Sequence, residues 1–292
     1  MEWPRFIRKF RDRRIQRQKL LDRINALDQN LQLSLKLQYR LLWAQGTRLP
    51  FADVEFRCFS QTGEDGILLY IFALIGTTNK RAVEACAATG IECCVANLIV
   101  NHGWHGLLLD GNEHKLKKGR AFYDANGNTR HFPPLLKQAW ITAENINSVI
   151  SENGFRGEID LLSLDLDGND YWIWKSLDCI TPRVVVLEYN DVIPPGKSVS
   201  IPYDPKFLAQ HQPHGPIYCG ASLNAFIKLG KEKGYRYVGS QSYGFNAFFI
   251  RNDVGLSEFP EVTPGDADHF PRARARQENK FPFIRDLPWV EV

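Results

Sequence analysis

Tyr235-Arg-Tyr-Val-Gly239 and Asn246-Ala-Phe-Phe-Ile250 are separated only by the short Gly-containing connection Ser240–Phe245, and that gap decides the fold. Both stretches carry the aromatic and apolar residues of strands. A parallel crossover takes about a dozen residues, so these two strands must run antiparallel. Working backward, strands and helices alternate. Strands are expected at Ala82–Cys86, Gly106–Asp110, Gln138–Thr142, Ile159–Leu166 and Arg183–Tyr189. Helices are expected at Cys93–Asn101, His114–Tyr123, Asn145–Glu152, Tyr171–Leu177 and Ser222–Lys233. Such alternation builds a parallel sheet covered on both faces. The expectation is an α/β, Rossmann-like, mostly parallel seven-stranded sheet with a terminal antiparallel hairpin.

Three regions follow: an extension over 1–50, the α/β domain over 56–252 and an irregular tail over 253–292. Residues 5–45 contain neither Gly nor Pro, and Leu20, Ile24, Leu27, Leu31 and Leu35 form one helical stripe. We read the stripe first as a face docked on the domain, with a short coiled coil between subunits as the alternative. Between Arg5 and Arg23 stand nine Lys or Arg residues against Asp12 and Asp22. Such a run is either a solvated helix face or a contact for an anionic membrane surface or acidic partner. Thr62-Gly-Glu-Asp65 resembles a capping box ahead of a helix that Gly76 ends. The segment 191–220 is long for a connection, which marks it as functional or disordered.

Composition narrows the class. The 292 residues are 44% hydrophobic and 24% charged, ordinary for a soluble globular chain, and a net charge of +3 gives no case for nucleic acid. No run of about 18 apolar residues exists to span a bilayer, and no apolar segment of secretory type follows the basic stretch. The six cysteines make no C-x-x-C spacing and read as reduced. The expected compartment is the cytoplasm, with peripheral membrane attachment as an option.

Ligands of doubly wound sheets lie at the carboxyl ends of the strands. Strand one runs into Glu84-Ala-Cys-Ala-Ala-Thr-Gly90, a turn whose amides must approach a ligand closely. Strand two ends at Asp110, placed to accept both ribose hydroxyls of an adenosine; a plain turn Asp is the bland reading. Strand four ends in Asp165-Leu-Asp167-Gly-Asn-Asp170. In an extended chain Asp165 and Asp167 point the same way, and strand five brings Glu188 and Asn190 to the same edge. Close like charges raise a pKa, the condition for a general base or a bound cation. His102 and His105 fall on the wrong edge of the sheet and read as structural. His211 and His214 read as solvated loop residues, with a general base on the long loop as the rival. Arg272, Arg274 and Arg276 read as a solvated strand, with an anion clamp as the rival.

Several segments together resemble the FkbM-type methyltransferases, which depend on S-adenosylmethionine (SAM). They are Ser60-Gln-Thr-Gly-Glu-Asp-Gly66, Glu84 through Gly90-Ile-Glu92, Asn97 through Asn112, Asp165-Leu-Asp-Gly-Asn-Asp-Tyr-Trp172, Leu187-Glu-Tyr-Asn190, Ala221-Ser-Leu223 and Gly244 through Arg251. The likeness covers roughly 58–252 and implies a class I methyltransferase fold with O-methylation of sugars or polyketide-like molecules. It further implies cofactor binding by Glu84, Cys86, Ala88, Gly90 and Asp110, with Asp165 beside the methionine end. Where the family pattern E-x-G-x-G-x-G has its first two glycines, this chain has Cys86 and Ala88. Ser163 stands where Lys is common.

The leading expectation is therefore SAM-dependent methyl transfer to a hydroxyl of a saccharide or other small polar metabolite. Asp165, Asp167 and Glu188 are its catalytic candidates. Mg²⁺ is an option that is not favoured. The rival from another class is a degenerate methyltransferase-fold scaffold held to a membrane or complex by its basic helix. A nicotinamide-dependent enzyme is a third reading, disfavoured by the missing G-x-G-x-x-G.

Overall fold

A computed structural model describes residues 27–264 and 271–292. Seven strands form one sheet in the order β3-β2-β1-β4-β5-β8-β7. They are β1 (Arg81–Ala85), β2 (His105–Asp110), β3 (Leu135–Gln138), β4 (Gly157–Leu164), β5 (Ile180–Glu188), β7 (Tyr235–Ser240) and β8 (Asn246–Arg251). Strands β1 to β5 pair in parallel. Strand β8 is antiparallel to both β5 and β7. The short connection thus forces the reversal expected of it, and the result is a mostly parallel seven-stranded sheet with a terminal antiparallel hairpin. Strand order reverses between β1 and β4, which opens a crevice at their carboxyl ends.

Alternate residues of each strand feed two cores. Ala82, Leu108, Leu161, Val184 and Phe248 face α3 (Glu64–Ile75) and α4 (Ala96–His102). Val83, Leu107, Leu162, Val185 and Phe249 face α7 (Asp170–Ser176) and α8 (Leu223–Glu232). The helices α5 (Glu113–Ala125) and α6 (Ile146–Glu152) complete the layers. The sheet is anchored at its amino edge by fully buried Asp160, which accepts from the amides of Thr78, Asn79 and Lys80 and pairs with Arg183 at 2.8 Å.

Three expectations change. Strand three is Leu135–Gln138, starting just after Pro133-Pro134, and not Gln138–Thr142. Its carboxyl edge is therefore reached at Ala139-Trp140. The tail is not irregular: it holds a helix, α9 (Pro271–Ile284), and β9 (Val290–Glu291), which pairs with β6 (Val199–Ser200) of the long segment. Arg276 of α9 pairs with Asp191 at 3.1 Å and Arg272 lies over the rings of Tyr243 and Phe245, so these arginines fasten the tail to the domain.

The third change concerns the first helix, α1, helical over described residues 27–44 and followed by α2 (Phe51–Val54). Leu20 and Ile24 of the stripe lie outside the described residues. Leu27 and Leu31 point to solvent at 65% exposure each, and only Leu35 packs on the core. The helix docks through a different, largely polar face. Gln32 bonds Asn97 at 3.0 Å, Gln29 bonds the Asn101 carbonyl at 2.7 Å and Arg40 bonds the Ala73 carbonyl at 2.8 Å. Buried amides find partners there, so the polar face satisfies itself and the leucines are left outside.

Candidate functional site

A cavity of about 830 Å³ opens at the carboxyl ends of the strands. Cys86 and Ala88 line it from the loop after β1, Asp110 and Asn112 from the end of β2, and Lys115 from α5. Trp140 enters after β3, Asp165, Asp167 and Asn169 after β4, and Glu188 from β5. Phe207, Leu208 and Gln210 come from the long segment and Gln61 from the turn before α3.

The loop after β1 follows a glycine-type course without the glycines. Cys86 has φ 63° and Ala88 φ 51°. Each left-handed non-glycine residue costs about 1–2 kcal/mol. Neighbours hold the loop in place: Ala87 N–H donates to the Leu109 carbonyl at 2.9 Å and Ala88 N–H to Asp110 Oδ2 at 2.9 Å. A Cβ on Gly119 of α5 would lie 2.0 Å from the Thr89 carbonyl oxygen, so that helix backs the loop directly. Glycine at both positions relieves the strain. The double variant Cys86→Gly, Ala88→Gly is expected to unfold at higher denaturant than wild type. An equal or lower denaturant midpoint would show that the left-handed course at these two positions carries no strain.

Asp110 is 7% exposed, and its Oδ1 accepts from Asn112 N–H at 2.7 Å. Each carboxylate oxygen has two lone-pair sites, so both still have room for a hydroxyl donor. Glu84 does not reach the cavity. It is 4% exposed and accepts from Cys94 N–H at 3.0 Å and Val95 N–H at 2.9 Å. Burial pushes its pKa up to about 7. Gly90 also lies beneath the loop, where a Cβ would meet Leu108 Cδ1 at 2.6 Å. Of the cofactor candidates, Cys86, Ala88, Asp110 and Asp165 face the cavity, while Glu84 and Gly90 support the loop.

Asp165, Asp167 and Glu188 converge, with a carboxylate oxygen of each within 4.8 Å of the others. The pleat is not what aligns them, because β4 ends at Leu164 and Asp167 has φ 53°. A turn brings them together. Asp170, at the start of α7, accepts from Leu166 N–H at 2.7 Å and Gly168 N–H at 3.1 Å and fixes that turn. Burial lifts Asp170 to about 7.

Asp165 and Glu188 face one another at the ends of β4 and β5, with carboxylate oxygens within 4.8 Å. Burial raises Asp165 to about 6 and, with the Asp165 charge beside it, holds Glu188 well above the carboxylate range. Like charges this close resist ionising together, so one carboxyl of the pair ionises before the other and is then a proton acceptor. Asp167 is also raised by burial, with Lys115 pulling the other way.

Asn190 takes no part in the cavity. Its amide donates to the carbonyls of Ile217 and Cys219, both at 2.9 Å, and tethers the long segment. His211 and His214 do not line the cavity, and His214 lies against Phe283. His102 is buried on Gln32, and His105 stacks on Phe155.

Sequence reasoning missed Trp140, Lys115, Asn169 and Phe207. The Pro133-Pro134 pair, read as a strand start, would have put Trp140 at the ligand edge. The others answer to no pattern, because the long segment is sewn over the cavity by single contacts. Trp140 Nε1–H donates to the Pro205 carbonyl at 2.7 Å, Asn169 to the Asp204 carbonyl at 2.8 Å and Trp172 to the Ile201 carbonyl at 2.8 Å.

No protein-family model and no curated protein matches the chain. Among solved structures, it is similar to the N-terminal domain of EvdMO1 with SAH bound, at 14% identity and TM-score 0.42, over 74% of this chain and 94% of that one. It is similar to magnesium protoporphyrin IX methyltransferase (ChlM) from Synechocystis PCC 6803 with bound SAM, at 14% identity and TM-score 0.38, over 64% and 77%. An O-methyltransferase from Bacillus cereus in complex with SAH matches at 15% identity and TM-score 0.36, over 59% and 72%. Similarity at this level leaves the chemistry to the chain's own residues.

Proposed function

We propose that this chain is a SAM-dependent O-methyltransferase of the FkbM type, acting on a hydroxyl of a saccharide or other small polar metabolite. One observation carries the reading. Three converging carboxylates, Asp165, Asp167 and Glu188, lie in the same cavity as a ribose-type Asp and a left-handed loop.

The residues fit the cofactor. Asp110 would take the ribose hydroxyls, and the base would extend toward β3, where Trp140 offers an exposed ring. Asp165 would stand at the methionine end. SAM, when bound, supplies a methyl group already activated on sulfonium, so alignment does much of the work. What the protein must add is removal of the acceptor's proton. The ionised member of the Asp165–Glu188 pair accepts it, and Asp167 orients the hydroxyl. Phe207 and Asn169 give the acceptor side an apolar wall and a polar contact, which suits a ring bearing hydroxyls.

The test is incubation with methyl-labelled SAM and a panel of hydroxylated small molecules, including monosaccharides and nucleotide sugars, with and without chelator. We expect label on an acceptor oxygen and no effect of chelator. Loss of transfer on chelation, restored by Mg²⁺, would make the three carboxylates a cation site instead. Nucleoside binding with no transfer to any hydroxyl would favour the scaffold reading.

A further inference from the structure

The cavity carries an uneven balance of charge. Asp110, Asp165, Asp167 and Glu188 line it, and among the described residues Lys115 is the one cationic side chain to do so. Three of these acids gather within 4.8 Å of one another. Like charges so close are unfavourable unless an opposite charge joins them. Lys115 offsets one, and SAM, with one net positive charge, would offset another. Even with only one of Asp165 and Glu188 ionised, a negative charge is left without a counterpart. The acceptor is the remaining group that enters.

Asp167 is the acid left over. It is exposed at the cavity, and among the described residues no hydrogen bond fixes its carboxylate. Asp110, by contrast, is held by the amides of Ala88 and Asn112. A second observation stands beside it. Asn169, two residues on in the same turn, lines the cavity and is only 6% exposed. Its Nδ2 donates to the Asp204 carbonyl, while its buried Oδ1 has no partner among the described residues. An unmade bond at a buried acceptor points to a donor that arrives with the ligand. Asp167 and Asn169 Oδ1 thus offer acceptors alone. An ammonium group is all donors and brings the missing charge, which a neutral hydroxyl does not. A phosphate or carboxylate would be repelled by the three acids. We infer that the acceptor is an amino alcohol of the amino-sugar class, its ammonium held by Asp167 and Asn169 and its neighbouring hydroxyl facing the Asp165–Glu188 pair. Asp167 then orients the hydroxyl through the amine beside it. The role of the hydroxyl rests on the methyl-transfer reading; the selection of charge does not.

The experiment is calorimetric titration of the full chain with glucosamine, glucose and glucuronate, similar rings that differ in charge. It is run at a pH that keeps the amine charged, in chelator so that no metal ion competes for the acids, and with and without SAH. We expect glucosamine to bind about tenfold or more tightly than glucose, the worth of a charge-assisted hydrogen bond, and glucuronate to bind most weakly. In Asp167→Asn the affinity for glucosamine should fall to that for glucose. Asparagine tolerates the left-handed φ of 53° at this position, so the variant should keep its circular dichroism spectrum. Glucosamine that binds no more tightly than glucose, or not at all, would overturn the inference. So would a preference that survives in Asp167→Asn. The SAH arm separates the two readings. SAH binding without a preference for the amine strikes this inference alone, whereas the preference without SAH binding strikes methyl transfer and leaves the charge selection standing.

Discussion

Asp165→Asn is expected to lower the rate of methyl transfer by about 10²–10⁴-fold, the range for losing a general base. The wild-type rate should rise with pH through about 6, where Asp165 ionises, and this rise should shift or vanish in the variant. Stability should move the other way. Glu188 is an acid whose folded pKa is raised, so its contribution is full below the unfolded carboxylate value and is lost as pH rises toward the folded one. Glutamine removes a buried acid that opposes folding at high pH. Glu188→Gln should therefore melt above wild type at pH about 8. A Glu188→Gln protein that melts lower would make Glu188 a structural residue.

Asp160→Ala should cost about 3–5 kcal/mol, because it strands the Arg183 guanidinium, itself 7% exposed, and three backbone amides. Burial works to raise the Asp160 pKa, but Arg183 and the amides of Thr78, Asn79 and Lys80 outweigh it and leave it lowered. A depressed acid stabilises above its unfolded pKa and loses that contribution as pH falls through the folded value. Wild type should therefore weaken below pH about 4 through this residue, and the variant should not share that component. Denaturant midpoints across pH measure both. A shift below about 1 kcal/mol would mean that water replaces the lost carboxylate.

How much of this was legible depended on whether the physics was local. The hairpin was forced by the length of Ser240–Phe245, and the buried strands announced themselves as apolar runs such as Arg183–Leu187. Strand three went astray because Gln138-Ala-Trp-Ile-Thr142 looks as strand-like as Leu135-Leu-Lys-Gln138, and only pairing with β2 chooses between them. The tail failed for a similar reason. Helix α9 holds Pro282 and many charges, and what orders it is contact with Asp191, Tyr243 and Lys197 far away in sequence.

At the site, the edge at which Asp165, Asp167 and Glu188 gather followed from the strand pattern, but the turn that aligns them did not. Glu84 shows the converse error. A carboxylate at the end of a central strand suits a ligand or a helix start equally, and here the amides of Cys94 and Val95 claim it. The leucine stripe misled because burial of α1 was decided by which side found hydrogen-bond partners, and helical period alone does not say that.

The cavity's central claim is that it holds the adenosyl group on Asp110. Calorimetric titration of wild type and Asp110→Ala with SAM and SAH tests it without knowledge of the acceptor. We expect saturable binding of both ligands by wild type, and a loss of about 10–100-fold in affinity in the variant, the worth of charge-assisted hydrogen bonds to two hydroxyls. No binding by wild type at millimolar SAM, or equal affinity in Asp110→Ala, would contradict it.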